Sequence, residues 1–380
     1  MTSLLMTNAR LIDAAGITRD GWLRIRGALI TERGQGDPGR LPGESVIDCG
    51  GDLLAPGFID LHTHGGGGAS VEDGPQAMRA ALAVWAAHGT TRTVLSLVAG
   101  PPQRLTSILA GVAELAEDEK TGVLGAHAEG PFLAPARRGA HDPESLRAPS
   151  LEEAQDLVAA ARGYLRQITI APELPGALPV IEALVAAGVR VAVGHTGASY
   201  EQAAAAFDRG ATLLTHAFNA MPGIHHRDPG PVLAALGDAR VTLEVVFDGV
   251  HLADPVARLV FAAAPGRVAL ITDAMAATGM PDGEYRLGSL GVTVHGGRAV
   301  VAGTDTIAGS TLTQDVALRR AVAAGVDLTA AVAALTLTPA AALGLETQFG
   351  LLDPGYVADL VRLSPDLHVK AVWRAGVSLP

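Results

Sequence analysis

The sequence predicts an α/β protein: a (β/α)8 TIM-like barrel, with a small discontinuous β-sandwich domain contributed by the N- and C-termini. Three observations carry this expectation. From Ala55 to Asp273, short continuous apolar runs alternate with amphipathic stretches. Such runs are strands with both faces buried. Eight of them, in an expected domain of roughly 290 residues, match a closed parallel barrel. The flanking segments read as β, without a long helix before residue 53 or after 345. An open doubly wound sheet would place a G-x-G-x-x-G loop after its first strand. Gly65–Gly68 lacks that spacing. The expected division is 1–52 and 346–380 for the small domain and 53–345 for the catalytic barrel.

In chain order, Ser3–Met6, Gly21–Ile25, Ala28–Ile30 and Ser45–Asp48 have strand patterns separated by turn-forming residues. The barrel strands are expected at Gly57–His62, Thr91–Leu97, Gly122–His127, Gln167–Ala171, Arg190–Gly194, Ala211–His216, Val241–Phe247 and Arg267–Asp273. Helical periodicity covers Pro75–Ala87, Gln103–Asp118, Leu151–Ala161, Ala177–Ala187, Tyr200–Asp208 and Asp254–Ala263. Hairpins follow between Gly279 and Gly303, then helices at Thr311–Ala324 and Leu328–Ala342. The β pattern of Gly350–Ser378 completes the terminal domain.

The 380 residues are 48% hydrophobic but only 4% aromatic, so Ala, Val, Leu and Gly fill the core. A net charge of -11 argues against nucleic acid as a partner. A locally basic pocket for an anionic substrate stays open. The single cysteine, Cys49, excludes a disulfide framework and a cysteine-based zinc site. The first residues do not read as a signal peptide, and no apolar run reaches the ~18 residues of a membrane span. A soluble cytoplasmic protein is the expectation.

The chemistry begins at Phe58-Ile59-Asp60-Leu61-His62-Thr63-His64. Side chains alternate along a strand, so His62 and His64 share a face. Glu129 follows the third expected strand; His195, His216 and Asp273 end the fifth, sixth and eighth. In a barrel these ends converge on one mouth. Neutral imidazole and carboxylate suit a borderline divalent ion such as Zn²⁺. Glu129, His195 and His216 form one triplet with a position left for water. His62 and His64, with Glu129 bridging, could hold a second ion. Such an ion lowers the pKa of water, and Asp273 is placed to take its proton. His127 reads equally as a pocket or a core residue.

The motifs Asp60-x-His62-x-His64-Gly65, His127-x-Glu129-Gly130-Pro131-Phe132, Gly194-His195-Thr196, Thr215-His216-x-Phe218-Asn219-Ala220-Met221, Asp248-Gly249-x-His251 and Thr272-Asp273-Ala274-Met275 resemble the N-acetylglucosamine-6-phosphate deacetylases of the amidohydrolase superfamily. Pro281-Asp282-Gly283-x-Tyr285 and Pro354-Gly355-x-x-Ala358-Asp359-Leu360 match as well.

The resemblance implies metal-dependent hydrolysis of the acetamide of an amino-sugar phosphate, in amino-sugar catabolism or cell-wall recycling. It implies one or two divalent ions, zinc foremost, with iron, cobalt or manganese as alternatives. Metal ligands fall on Glu129, His195 and His216, with His62 and His64 allowing a second ion. Asp273 is the implied acid/base, and His141, beside Ala140, the group that meets the acetyl carbonyl or sugar. Backbone at Asn219 and Ala220, with Arg227 and His251, is the implied phosphate clamp. The resemblance also implies a homodimer in which one of these cations reaches across from the partner. Ile307, Ala308 and Gly309 are implied to close over the sugar. Two other activities stay open: a deacetylase of N-acetylgalactosamine 6-phosphate, or another amide-cleaving amidohydrolase. An inactive structural homologue is the alternative of another class.

Overall fold

The computed structural model describes residues 3–380. Contacts within the chain define two compact units: one of residues up to Asp60 with Trp85–Arg92 and Gln314–Pro380, the other of Leu61–Val84 and Thr93–Thr313.

An eight-stranded parallel sheet forms a barrel. Its strands are Phe58–Thr63, Thr90–Val98, Val123–Glu129, Leu165–Ile170, Arg190–Val193, Leu213–Leu214, Thr242–Val246 and Val268–Ile271. The last strand returns to the first through a parallel bridge between Thr63 and Ala274, and Asp273 N–H donates to His62 O at 2.8 Å. Every residue of the first three strands is buried, as expected where one face fills the barrel and the other meets helices. The expected bounds hold within two residues at every end, but in the sixth strand this leaves only two residues, Leu213–Leu214. Thr215 N–H still donates to Val193 O at 2.9 Å, and His216 turns away after it.

Helices Pro75–Ala87, Pro102–Ala116, Leu151–Ala160, Ala177–Ala186, Tyr200–Asp208 and Asp254–Ala263 lie where the periodicity placed them. Local chemistry fixes several starts. Ser150 accepts from Glu153 N–H, and Ser199 forms a capping box with Gln202. A further helix, Gly230–Gly237, was not legible: it is short, nearly all apolar, and opens on a glycine at positive φ. The helix expected over Leu328–Ala342 is two, Leu328–Ala333 and Leu337–Ala342, broken where Thr336 takes φ −132°.

After the eighth strand, Gly283–Leu287, Leu290–His295 and Arg298–Val301 form a three-stranded antiparallel sheet. Leu287, Val292, Val294 and Ala299 pack it against Met275, Ala277 and Ala308.

The terminal strands join in a separate eight-stranded sheet. Its spine runs from Val377–Ser378 through Val369–Arg374, Leu360–Leu363, Leu53–Pro56, Ser3–Asp13 and Gly16–Arg26 to Leu29–Gln35. It branches at Ser3–Asp13, which also pairs with Ser45–Asp48. Met6, Leu11, Leu23, Ile25, Leu54, Leu360 and Trp373 form its buried core.

Candidate metal centre

The C-terminal ends of the barrel strands bring six polar side chains together. His62 lies in the first strand and His64 just beyond it; Glu129 closes the third; His195, His216 and Asp273 each stand two residues past a strand. His195, His216 and Asp273 have φ of 46°, 28° and 50°. Left-handed backbone is rare outside glycine and clusters where structure holds it for function. It turns each side chain out of the strand direction and into the mouth. Gly309 supports one of these turns. Its φ is 61°, and a Cβ there would sit 2.9 Å from the Asp273 carbonyl oxygen, so the close approach needs glycine.

Both oxygens of the buried Glu129 carboxylate face imidazoles. Oε1 lies 3.0 Å from His195 Nε2, 3.1 Å from His216 Nε2 and 3.4 Å from His62 Nε2. Oε2 lies 3.3 Å from His64 Nε2 and 3.4 Å from His141 Nε2. His195 and His216 present Nε2 to each other at 3.0 Å, and so do His62 and His64. Asp273 Oδ1 is 3.2 Å from His64 Nε2 and 3.5 Å from His62 Nε2. Ligands bonded at ~2.0 Å to a tetrahedral ion stand about 3.3 Å apart. The donor atoms are therefore spaced as a coordination shell, not as packed rings.

Hydrogen bonds on the far ring nitrogens sort the histidines. His195 Nδ1 lies 2.9 Å from Arg137 O, which only accepts, so Nδ1 carries the proton and Nε2 offers a lone pair. His141 is the reverse: Ala99 N–H donates to its Nδ1 at 3.1 Å, so the neutral ring carries its proton on Nε2. His141 thus points a donor, not a lone pair, at the centre. That makes His216 the better third ligand beside Glu129 and His195, although His141 also lies within reach of both. His127 is excluded as a ligand, because Ser96 (3.0 Å) and Thr169 (2.8 Å) occupy both its nitrogens.

Charge follows the same geometry. Burial opposes a charged His64, but the hydrogen bonds it donates to Asp273 and Glu129 outweigh it and lift its pKa to about 9. His62 is raised well above its ordinary value against the same burial, by the charges of Glu129 and Asp273. Burial opposes ionisation of Asp273 too, yet the two imidazoles hold its carboxyl well below the usual range. Burial pushes His141 down to about 4, so it stays neutral. The protein alone thus gathers protons where the donor set calls for a cation.

The centre floors a pocket of about 360 Å³. His141, Ala140, Asn219, Ala220, His251, Ile307 and Gly309 line it with the ligands, while Ala308 is buried behind. His251 is hydrogen-bonded to Asp248 at 2.8 Å; burial opposes its charge, but that carboxylate raises its pKa. Arg227 does not join the group: it lies on an exposed loop and does not line the pocket. Two buried residues escaped the sequence reading, Glu244 and Gln167, hydrogen-bonded to each other at 2.7 Å behind His62. A charged residue inside the apolar run Leu243–Phe247 was the available signal.

The amidohydrolase family model matches residues 53–379. An N-acetylgalactosamine-6-phosphate deacetylase of Escherichia coli O157:H7 is 38% identical, covering 99% of both chains. The human N-acetylglucosamine-6-phosphate deacetylase is 37% identical over 98% of this chain and 94% of its own. The structure of a mutant N-acetyl-D-glucosamine-6-phosphate deacetylase from Mycobacterium smegmatis, in complex with N-acetyl-D-glucosamine-6-phosphate, superposes with a TM-score of 0.94. It is 43% identical and covers 100% of this chain and 99% of that one.

Stripping divalent ions with a chelator should lower Tm by several degrees, and restoring them should recover it, since an ion at ~100 Kd stabilises by about 2.7 kcal/mol. Because His64 titrates near 9 without metal, reloading at pH 7 should release protons, and affinity should rise with pH up to that value. A Tm indifferent to chelation would contradict a metal centre.

Proposed function

The chain belongs to the amidohydrolase family, and on that premise we propose that it removes the acetyl group from N-acetyl-D-glucosamine 6-phosphate, giving D-glucosamine 6-phosphate and acetate. The observation that carries this is the spacing of Glu129, His195 and His216 at 3.0–3.1 Å on the floor of a pocket that also holds His141, Asp273 and His251. The epimer, N-acetylgalactosamine 6-phosphate, is the second reading, favoured by the 38% identity to a deacetylase of that sugar. The complete ligand set argues against an inactive homologue.

Glu129, His195 and His216 would hold one divalent ion, with zinc the expected metal for this N/O donor set. His62, His64 and Asp273, with Glu129 between, would hold a second. When bound, such an ion polarises the carbonyl and lowers the pKa of water. The chain's own residues do the rest. Asp273, ionised at neutral pH, takes a proton from the water that attacks the acetamide carbon. His141 donates Nε2–H to the carbonyl oxygen as it gains negative charge, where a fixed donor is worth most. Asp273 then delivers the proton to the sugar nitrogen as the C–N bond breaks, and acetate leaves.

The phosphate is held by the Asn219-Ala220 segment and by His251, whose Nε2 also lies 4.0 Å from Asp273 Oδ2. Arg227 joins them from the partner of a homodimer, which accounts for its distance from the pocket of its own chain. Ile307 and Gly309 form the wall over the sugar. No helix among the described residues is long and apolar enough to cross a membrane, and a cytoplasmic site of action fits a phosphorylated substrate.

Asp273→Asn should lower kcat by about 10²–10⁴-fold with the ion at Glu129, His195 and His216 kept; near-normal turnover would end its role as acid/base. In an acetate-release assay both phosphorylated epimers should exceed the free sugar, and the better of the two fixes the substrate. Arg227→Ala should raise KM for the phosphorylated sugar about tenfold or more, with kcat little changed. Equal turnover of phosphorylated and free sugar would remove the clamp.

A further inference from the structure

We propose that Glu244 is a positioning residue for His62: held by Gln167, it fixes the His62 tautomer and so makes the His62–His64 pair competent to hold the second divalent ion. Glu244 lies in the seventh strand, Thr242–Val246, with its side chain inside the barrel. Glu244, Gln167 and His62 are all 0% exposed. Gln167 Nε2–H donates to Glu244 Oε1 at 2.7 Å. The other oxygen, Oε2, faces His62 Nδ1 at 3.5 Å, a gap that a shift of a few tenths of an ångström turns into a hydrogen bond. A carboxylate only accepts, so it places the proton on Nδ1 and leaves the Nε2 lone pair facing His64, Glu129 and Asp273. His127 packs edge-on against the His62 ring, centroids 4.5 Å apart, and limits its rotation. No such chain reaches His195, whose Nδ1 proton is fixed by a backbone carbonyl. The first ion should therefore be indifferent to Glu244. The inference rests on the metal centre proposed above.

The arrangement yields a test by rearrangement. In Glu244→Met no acceptor faces His62 Nδ1, so the ring proton is free to sit on Nε2 and block the ligand atom. In the exchange variant Gln167→Glu/Glu244→Gln, the carboxylate at 167 only accepts and draws the NH₂, and the amide oxygen again faces His62. Titrated with Zn²⁺ against a competing chelator, wild type should bind two ions. Glu244→Met should keep the first and weaken the second about 10–100-fold, and the exchange variant should recover the second. The retained first ion reports that each variant is folded. A second ion unchanged in Glu244→Met, lost equally in the exchange variant, or lost together with the first would overturn the inference, as would a wild type that binds only one. A wild type that binds none would instead refute the metal centre itself.

Discussion

One carboxylate organises the mouth of the barrel. Glu129 is 4% exposed, and each of the Nε2 atoms of His62, His64, His141, His195 and His216 lies within 3.4 Å of one of its two oxygens. A buried anion needs compensating charge, and five converging imidazoles supply it only by taking up protons or by sharing a cation. Glu129 can do this because it closes the third strand, between neighbours that run parallel and end at the same level. The strained backbone at His195, His216 and Asp273 is the cost of aiming side chains from those ends at one point.

The same carboxylate separates two ligand groups by tautomer as well as by distance. Arg137 O holds the His195 proton on the far nitrogen, and Ala99 N–H holds the His141 proton on the near one. Two histidines with ring centroids only 4.6 Å apart are thereby given opposite tasks, one to offer a lone pair and the other to donate. Backbone groups set both, so the division survives changes in neighbouring side chains better than one made by side-chain pairs would.

Much of this was legible in the chain. His62-x-His64, Glu129, His195, His216 and Asp273 were placed correctly because a parallel barrel gathers strand ends, and strand ends follow from apolar runs. What the runs could not show was the interior. Glu244 and Gln167 sit within strands that read as buried, and alternation does not tell which residue across the barrel a polar side chain meets. The two-residue sixth strand was hidden for a similar reason: Ala211–His216 reads as an apolar run, but His216 leaves it at φ 28° to face Glu129. Arg227 was drawn toward the site by its motif, whereas the loop that carries it is exposed in a single chain.

The most direct measurement is the metal content of Glu129→Gln beside wild type, after both are loaded with Zn²⁺ and desalted. If this carboxylate joins the two ligand groups, the variant should retain a wild-type circular dichroism spectrum and lose the ions of both groups. A folded variant that keeps its full complement of zinc would contradict it.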